Sequence, residues 1–187
     1  MPVRKIISGC QIGADEGGLE AGKRLGLETG GYIPKGFRTA AGARPDLAAR
    51  YGLQETPEWG YQHRTRLNVA NSDGTVRFAY DFDSAGERLT LRCCRQLGKP
   101  HYDIVLTRPG YQIGAWDGST FEVWALEAEL IEFSAWLHRN RIQTLNVAGN
   151  AHAGIALVVT DFLVQVLTMP APAVPANDSA TSQPTLF

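Results

Sequence analysis

Three short glycine-bearing stretches have the composition of loops that bind an anion. They are SGCQIGAD at residues 8–15, DFDSAGE at 81–87 and NVAGNAHAG at 146–154. Small residues let backbone N–H groups approach a ligand, and a helix N-terminus offers unpaired donors and a partial positive charge. Because each stretch is followed by a helix-like segment, together they predict a pocket for a phosphate or another oxyanion.

Two side chains of the first stretch could make such a pocket selective. Gln11 has no capping role that its position suggests, which makes it a candidate ligand contact. Asp15 could cap its helix, or it could accept hydrogen bonds from a ribose or a heterocycle. Glycines also follow strands simply because βα turns need a positive φ, and neither GxGxxG nor GxxxxGK[ST] occurs in the chain. The convergence of three loops favours binding over turn chemistry alone.

Alternating strand-like and helix-like segments must position these loops. Hydrophobic patterning predicts strands at 3–8, 29–34, 75–80, 101–106 and 142–149, and helices at 15–27, 60–70, 87–97, 120–140 and 154–167. Residues 34–58 show no clean period and are predicted to be an irregular surface segment. Strands separated by helices imply βαβ units, so we expect an α/β fold, a Rossmann-like three-layer sandwich with a mostly parallel sheet. In such a sheet the carboxyl ends of the strands meet at one edge, where ligands bind.

Length and composition fit one domain with a tail. The chain has 187 residues, 44% of them hydrophobic. We expect a single ligand-binding domain at 1–169 and a flexible tail, rich in Pro, Ala and Ser, at 170–187. The formal net charge of −1 disfavours broad nucleic-acid binding but not a local anion pocket. With no apolar run of about 18 residues and no leader, the expectation is a cytoplasmic protein that does not contact a membrane.

Cysteines, histidines and tryptophans add little chemistry. Cys10, Cys93 and Cys94 have neither a disulfide nor a zinc spacing, so we expect buried thiols and no metal bound directly by the protein. Among the histidines, His152 alone lies in a predicted ligand loop. The tryptophans are expected in the core or at an interface, and the helix predicted from residue 120 could pack against another copy to form a homo-oligomer.

A series of motifs in fixed order resembles the molybdenum cofactor carrier family. The motifs are SGCQIGAD, YIPKG at 32–36, ETP at 55–57, RTxxNVxxSDGT at 64–75, SAGERLTL at 84–91, GKP at 98–100 and LNVAG at 145–149. That family is similar to the Rossmann-like superfamily of lonely-guy phosphoribohydrolases and DNA-processing protein A, in a circularly permuted form. The resemblance implies a pocket for a nucleotide or for a pterin phosphate such as the molybdenum cofactor.

The resemblance also implies which residues form this pocket. They are Gly9, Gln11, Gly13, Ala14, Asp15, Lys35, Arg64, Asn68, Asp73, Gly86, Gly149 and Asn150. Arg64 or Lys35 could pair with an anion, and Asn68 could bind a polar edge. The alternatives are structural: Arg64 and Lys35 could be solvated, whereas Asn68 and Asp73 could cap a helix and fix the NSDG turn.

The chain departs from the family pattern at three places. Ile12 stands where a threonine is expected, Ala40 and Ala41 stand where two acids are expected, and Glu87 stands where a threonine is expected. A carboxylate at a helix start suits the helix dipole but would repel a phosphate. Either the ligand is less anionic, or Glu87 turns outward as a cap. The phosphoribohydrolase pattern GGxGTxxE is not present in SAGERLTL, so catalysis by that route is not expected.

Three functions remain open at this point. The leading one is a cytosolic protein that binds a phosphate-bearing small molecule, either a molybdenum cofactor or a nucleotide. The second is a hydrolase of nucleotides or phosphoribosyl bonds that uses Asp15 or Glu87 as acid or base. The third is a nucleotide sensor or DNA-metabolism protein recruited by its tail, because the final QPTLF resembles the QxxLF peptides that dock on bacterial sliding clamps. That contact would use Gln183, Leu186 and Phe187.

Overall fold

A computed structural model describes residues 3–40, 42–107, 121–123 and 125–170. In this part of the chain seven strands form one sheet: β1 (Lys5–Ile7), β2 (Glu28–Ile33), β5 (Leu53–Glu55), β6 (Gly74–Ala79), β7 (His101–Thr107), β8 (Glu122–Val123) and β9 (Thr144–Gly149). A separate hairpin pairs β3 (Arg38–Thr39) with β4 (Gly42–Ala43). The helices are α1 (Ala14–Arg24), α2 (Pro45–Tyr51), α3 (Tyr61–Ala70), α4 (Ala85–Gln96), α5 (Leu126–Arg139) and α6 (Ile155–Thr168).

The sheet order brings together the three strands that precede the glycine-bearing loops. Strands run in the order β5-β2-β1-β9-β6-β7-β8, so that β1, β9 and β6 are neighbours. All pairings in the sheet are parallel except that of β8 with β7. The carboxyl ends of β1, β9 and β6 therefore lie side by side at one edge.

Helices cover both faces of the sheet. Successive residues of a strand point to opposite faces. Val76 and Phe78 of β6 join the main apolar core with residues of α5 and α6, whereas Arg77 between them donates to the backbone of α4. Helix α3 packs beside α4, and α1 packs beside α6. The protein is thus the single-domain Rossmann-like sandwich that the sequence predicts.

Glycines in α1 permit close packing although they weaken a helix intrinsically. A Cβ at Gly18 would lie 2.6 Å from Cβ of Val147 on β9, and a Cβ at Gly17 would overlap the carbonyl of Ala156 on α6. Helix α1 therefore lies unusually close to the sheet and to α6. This contact fixes the N-terminus of α1 beside the end of β9.

Two predictions about the elements are wrong. Residues 34–58 contain the β3–β4 hairpin, α2 and the edge strand β5, rather than an irregular segment. Helix α5 begins at Leu126 instead of 120, because residues 122–123 pair with β7 as β8. Among the described helices, none has the length and apolar character needed to cross a membrane. The QPTLF motif lies outside the described residues.

Candidate functional site

A cavity of about 940 Å³ opens at the carboxyl edge of β1, β9 and β6. All three glycine-bearing stretches contribute to its wall. The remaining wall comes from residues 58–65 before and within α3, from Leu89, Thr90 and Arg92 of α4, and from Ala40 and Tyr80. Of the residues predicted to form the site, those that line it are Gln11, Asp15, Arg64, Gly86, Gly149 and Asn150.

Gly13 and Ala14 of the first loop do not line the cavity, but they contact the loop after β9 that does. Gly13 has φ of +97°, and a Cβ there would lie 2.6 Å from the carbonyl oxygen of Asn150. A Cβ at Gly149 would lie 2.6 Å from Cβ of Ala14. Small residues at these positions therefore let the ends of β1 and β9 meet closely.

Buried Asp15 forms an ion pair with the partly buried Arg64 in the cavity wall. Oδ2 of Asp15 accepts hydrogen bonds from Nη1 of Arg64 and from the backbone N–H of Gln11, both at 3.2 Å. Burial raises the pKa of Asp15, and the Arg64 charge opposes that rise. The guanidinium occupies the space where a Cβ of Gly9 would lie, and its Cζ is 5.6 Å from the ring centre of Tyr61. Nε of Arg64 is buried and has no hydrogen-bond partner.

The side chain of Gln11 hydrogen-bonds to the backbone of the β3–β4 hairpin segment. Its Nε2 donates to the carbonyl of Arg38 at 3.2 Å, and its Oε1 accepts from the backbone N–H of Ala40 at 3.2 Å. Both polar ends of the side chain are therefore already hydrogen-bonded. Gln11 does have a structural role, one that its sequence position did not suggest.

Asn150 joins the loops that follow β9 and β6. Its Oδ1 accepts from the backbone N–H groups of Tyr80 and Asp81 at 3.0 and 2.9 Å, and its Nδ2 donates to the carbonyl of Asp81 at 3.0 Å. Both Oδ1 and Nδ2 of the Asn150 side chain therefore already have partners within the protein. Asn150 thus positions two walls of the cavity relative to each other.

Six predicted site residues do not line the cavity; besides the first-loop residues Gly9, Gly13 and Ala14, they are Lys35, Asn68 and Asp73. Lys35 is exposed, with Nζ 5.7 Å from the ring centre of Trp59 at the cavity wall. Asn68 exchanges two hydrogen bonds with the backbone of Tyr32, at 2.8 and 3.1 Å, which attaches α3 to β2. Asp73 accepts from the N–H groups of residues 143 and 144 at 2.9 and 2.7 Å, just before β9 begins. Asp73 therefore lies at the opposite edge of the sheet.

Glu87 faces inward, in contrast to the expectation that it could turn outward as a cap. It is 3% exposed, and its Oε2 lies 3.7 Å from Nη1 of Arg77 without any hydrogen bond. Arg77 also binds both carboxylate oxygens of Asp103 and donates to the carbonyl of Glu87 at 3.0 Å. Burial raises the pKa of Glu87 to about 7; Arg77 lowers it, and Asp15 and Asp103 raise it. The cavity wall thus holds a carboxylic acid that titrates near neutrality.

Aromatic side chains at the cavity are the feature that sequence reasoning missed. Trp59 is 64% exposed and lines the cavity with Tyr61 and Tyr80, which are also exposed. Trp59 is therefore not a core residue, whereas the expectation of an interface stays a prediction. One signal was available, because this tryptophan lies in the non-periodic segment between Pro57 and Gly60. Trp116 and Trp124 lie outside the described residues.

Among the described residues, His63 is the histidine that lines the cavity, and no cysteine does. The three cysteines are buried and unpaired, and burial raises the pKa of Cys10 to about 12, so that its thiol stays protonated. Nδ1 of His152 accepts from the N–H of Gly154 at 3.1 Å. Within the described ranges, no three His, Cys, Asp or Glu side chains form a group that could hold a metal ion.

A parallel sheet with helices on both faces and a cavity at its carboxyl edge defines the Rossmann-like class of α/β proteins. The chain belongs to the circularly permuted YpsA SLOG family, whose sequence model matches residues 6–167. It is also similar to the crystal structure of a "putative molybdenum carrier protein" from Syntrophus aciditrophicus SB. The two share 30% identity with a TM-score of 0.73, over 90% of this chain and 97% of the other. No curated protein sequence matches the chain. The family resemblance carried by the motifs is thereby confirmed.

Proposed function

We propose that this protein binds a phosphate-bearing small molecule with a flat heterocycle, a nucleotide or a molybdenum cofactor, and acts as its carrier. The supporting observation is that Nε of Arg64 and Oε2 of Glu87, residues of one cavity wall, are buried without hydrogen-bond partners. An unpaired buried polar group costs about 1–3 kcal/mol. A ligand that presents an acceptor to one atom and a donor to the other would remove that cost.

The exposed aromatic residues support a ligand with a flat ring. Trp59, Tyr61 and Tyr80 present ring surface to a cavity whose volume, about 940 Å³, falls within the usual range of small-molecule sites. Stacking on such rings contributes roughly 1–3 kcal/mol for each nucleobase. Purine and pterin rings are both flat enough to gain this energy.

The name of the Syntrophus aciditrophicus protein makes the molybdenum cofactor a candidate cargo. The described residues offer no group of three His, Cys, Asp or Glu side chains that could hold the molybdenum itself. The residues present do fit the organic part. Arg64 and Arg92 line the cavity and would hold its phosphate, and the aromatic residues would hold its pterin.

Native mass spectrometry and metal analysis of the gently purified protein test this proposal. We expect a pterin with molybdenum, or a nucleotide, to accompany the wild-type protein. Arg64→Gln should weaken binding of that molecule by about 10-fold to 100-fold, the usual value of a hydrogen bond to a charged group. Arg24→Gln is the matched control, because Arg24 forms ion pairs with Glu20 and Asp161 on the outer surface. Equal binding by the two variants would contradict the proposed site.

Hydrolysis is a second candidate function because Glu87 titrates near neutrality in the cavity wall. A buried carboxyl group with a pKa close to the working pH suits general acid or base catalysis. Wild-type protein incubated with nucleoside monophosphates would then release free base, and Glu87→Gln would not. A wild-type protein that releases no base would eliminate this candidate and leave the carrier function.

A further inference from the structure

The first turn of α4 is the part of the cavity wall where a carboxylate and a helix N-terminus meet. Residues 84–87 all line the cavity. Oγ of Ser84 accepts the N–H of Glu87 at 3.4 Å, and a Cβ at Gly86 would contact nothing within 4 Å. The turn is therefore open to a ligand, and the first N–H groups of a helix ordinarily attract an anion.

Glu87 changes this preference, because the protein neutralises its carboxylate only in part. Its Oε2 has Arg77 as an ion-pair partner at 3.7 Å but makes no hydrogen bond. Nε of Arg77 donates to Oδ1 of Asp103 at 2.8 Å, and Nη2 of Arg77 binds Oδ2 of the same carboxylate. One buried guanidinium thus serves two carboxylates, and a phosphate at this turn would meet an incompletely compensated negative charge.

Four elements present charged groups to Glu87. Burial is the largest influence and raises its pKa to about 7. Arg77 of β6 and Arg64 of α3 lower the pKa, whereas Asp15 of α1 and Asp103 of β7 raise it. Glu87 therefore exists in both protonation states at neutral pH, and the two states differ by a full charge at the α4 turn.

We propose that the first turn of α4 is a subsite for a neutral hydrogen-bond donor of the ligand, a hydroxyl or amino group, from which ionised Glu87 excludes the ligand's phosphate. The inference rests on the proposed function, because it assigns the orientation of the ligand in the same cavity. The donor binds Oε2, which makes no hydrogen bond within the protein. The phosphate is directed toward Arg64 and Arg92, and protonation of Glu87 opens the turn to anions.

Sulfate is a suitable probe, because it has the shape and charge of a phosphate dianion and does not titrate between pH 6 and 8. Calorimetry on the full chain should resolve a sulfate site at the α4 turn, distinct from the one at Arg64 and Arg92, that the wild-type protein fills about tenfold more tightly at pH 6 than at pH 8, as expected for a group half-protonated near pH 7. Glu87→Gln should bind sulfate equally at both pH values, with the affinity of the wild type at pH 6. Glu58→Gln is the matched control: this carboxylate lines the same cavity with its side chain 66% exposed, and the variant should keep the tenfold dependence.

Two further measurements distinguish an effect of the Glu87 charge from a general loss of structure in the Glu87→Gln variant. Asp103→Asn should free Arg77 for Glu87, lower the pKa of Glu87 and shift the midpoint of sulfate binding to lower pH. Adenosine, which offers neutral hydroxyl and amino donors, should bind the wild-type protein at pH 8 about fivefold more tightly than it binds Glu87→Gln, since a charged acceptor makes the stronger hydrogen bond.

The inference fails if Glu87→Gln keeps the wild-type pH dependence, or if neither protein binds sulfate at pH 6. It also fails if adenosine binds both proteins equally or neither at pH 8. In each case the proposed function stands as long as a co-purified ligand binds the wild-type protein and is weakened by Arg64→Gln. If Arg64→Gln did not weaken binding of the co-purified ligand, the proposed function itself would be overturned.

Discussion

Replacing Glu87 with glutamine should stabilise the protein at neutral and alkaline pH. The pKa of Glu87 rises from 4.5 to about 7 on folding, mainly through burial. At about 1.36 kcal/mol for each tenfold change in proton affinity, that difference corresponds to about 3 kcal/mol. The folded protein holds this proton up to about pH 7, whereas the unfolded chain releases it near pH 4.5. The wild-type free energy of unfolding therefore falls as pH rises between these values.

Urea unfolding of the wild type and Glu87→Gln between pH 4.5 and pH 8 measures this effect. Glutamine cannot ionise, so its advantage over the wild type should grow by about 3 kcal/mol across the range. Glu58→Gln removes an exposed carboxylate from the same cavity and should show no comparable trend. A difference between Glu87→Gln and the wild type that stays constant from pH 4.5 to pH 8 would refute the assignment of Glu87 as a buried acid.

Three other variants test how the cavity is built. Gly9→Ala should displace the Arg64 guanidinium, because the new Cβ would overlap it, and calorimetry should show weaker ligand binding with the fold retained by circular dichroism. Asn150→Ala should lower the free energy of unfolding in urea by about 2 kcal/mol, since the N–H groups that it binds in the loop after β6 lose their acceptor. Asp73→Ala should lower stability by about 1 kcal/mol and leave ligand affinity unchanged, because Asp73 lies at the other edge. An affinity loss in Asp73→Ala comparable to that in Gly9→Ala would contradict the location of the site.

Much of the fold could be predicted from the sequence because strand-like and helix-like segments alternate along it. Strands β1, β2, β6, β7 and β9 overlap the five predicted strands, and α1, α3, α4, α5 and α6 overlap the five predicted helices. Short elements were not predicted, because they contain too few residues to show a hydrophobic period. Strand β5 has three residues and α2 has seven, too few for either period to be recognised between the prolines and glycines that flank them.

The position of the cavity and several of the residues that line it could be predicted from the sequence, but the hydrogen-bond partners of their side chains could not. Glycine-bearing loops identified the edge of the sheet where the cavity lies, because β1, β9 and β6 are neighbours. The side-chain roles depend on partners far away along the chain. Gln11 binds the hairpin 27 and 29 residues later, and Asp73 binds backbone 70 and 71 residues later. No local pattern contains that information.

The inward orientation of Glu87 illustrates the same limit. A glutamate at the third position of a helix is usually solvated or caps the helix, so its sequence neighbours gave no reason to expect burial. The reason lies in Arg77, ten residues earlier on β6, which places a guanidinium beneath the helix. Only the packing of α4 on the sheet brings these two charges together.

A crystal structure of the gently purified protein, with any bound molecule identified by native mass spectrometry, tests the central claim most directly. We predict ligand density in the cavity at the ends of β1, β9 and β6, with an acceptor within hydrogen-bond distance of Nε of Arg64 and a flat ring against Trp59. Density for the identified ligand elsewhere on the protein, with this cavity filled only by water, would contradict the claim.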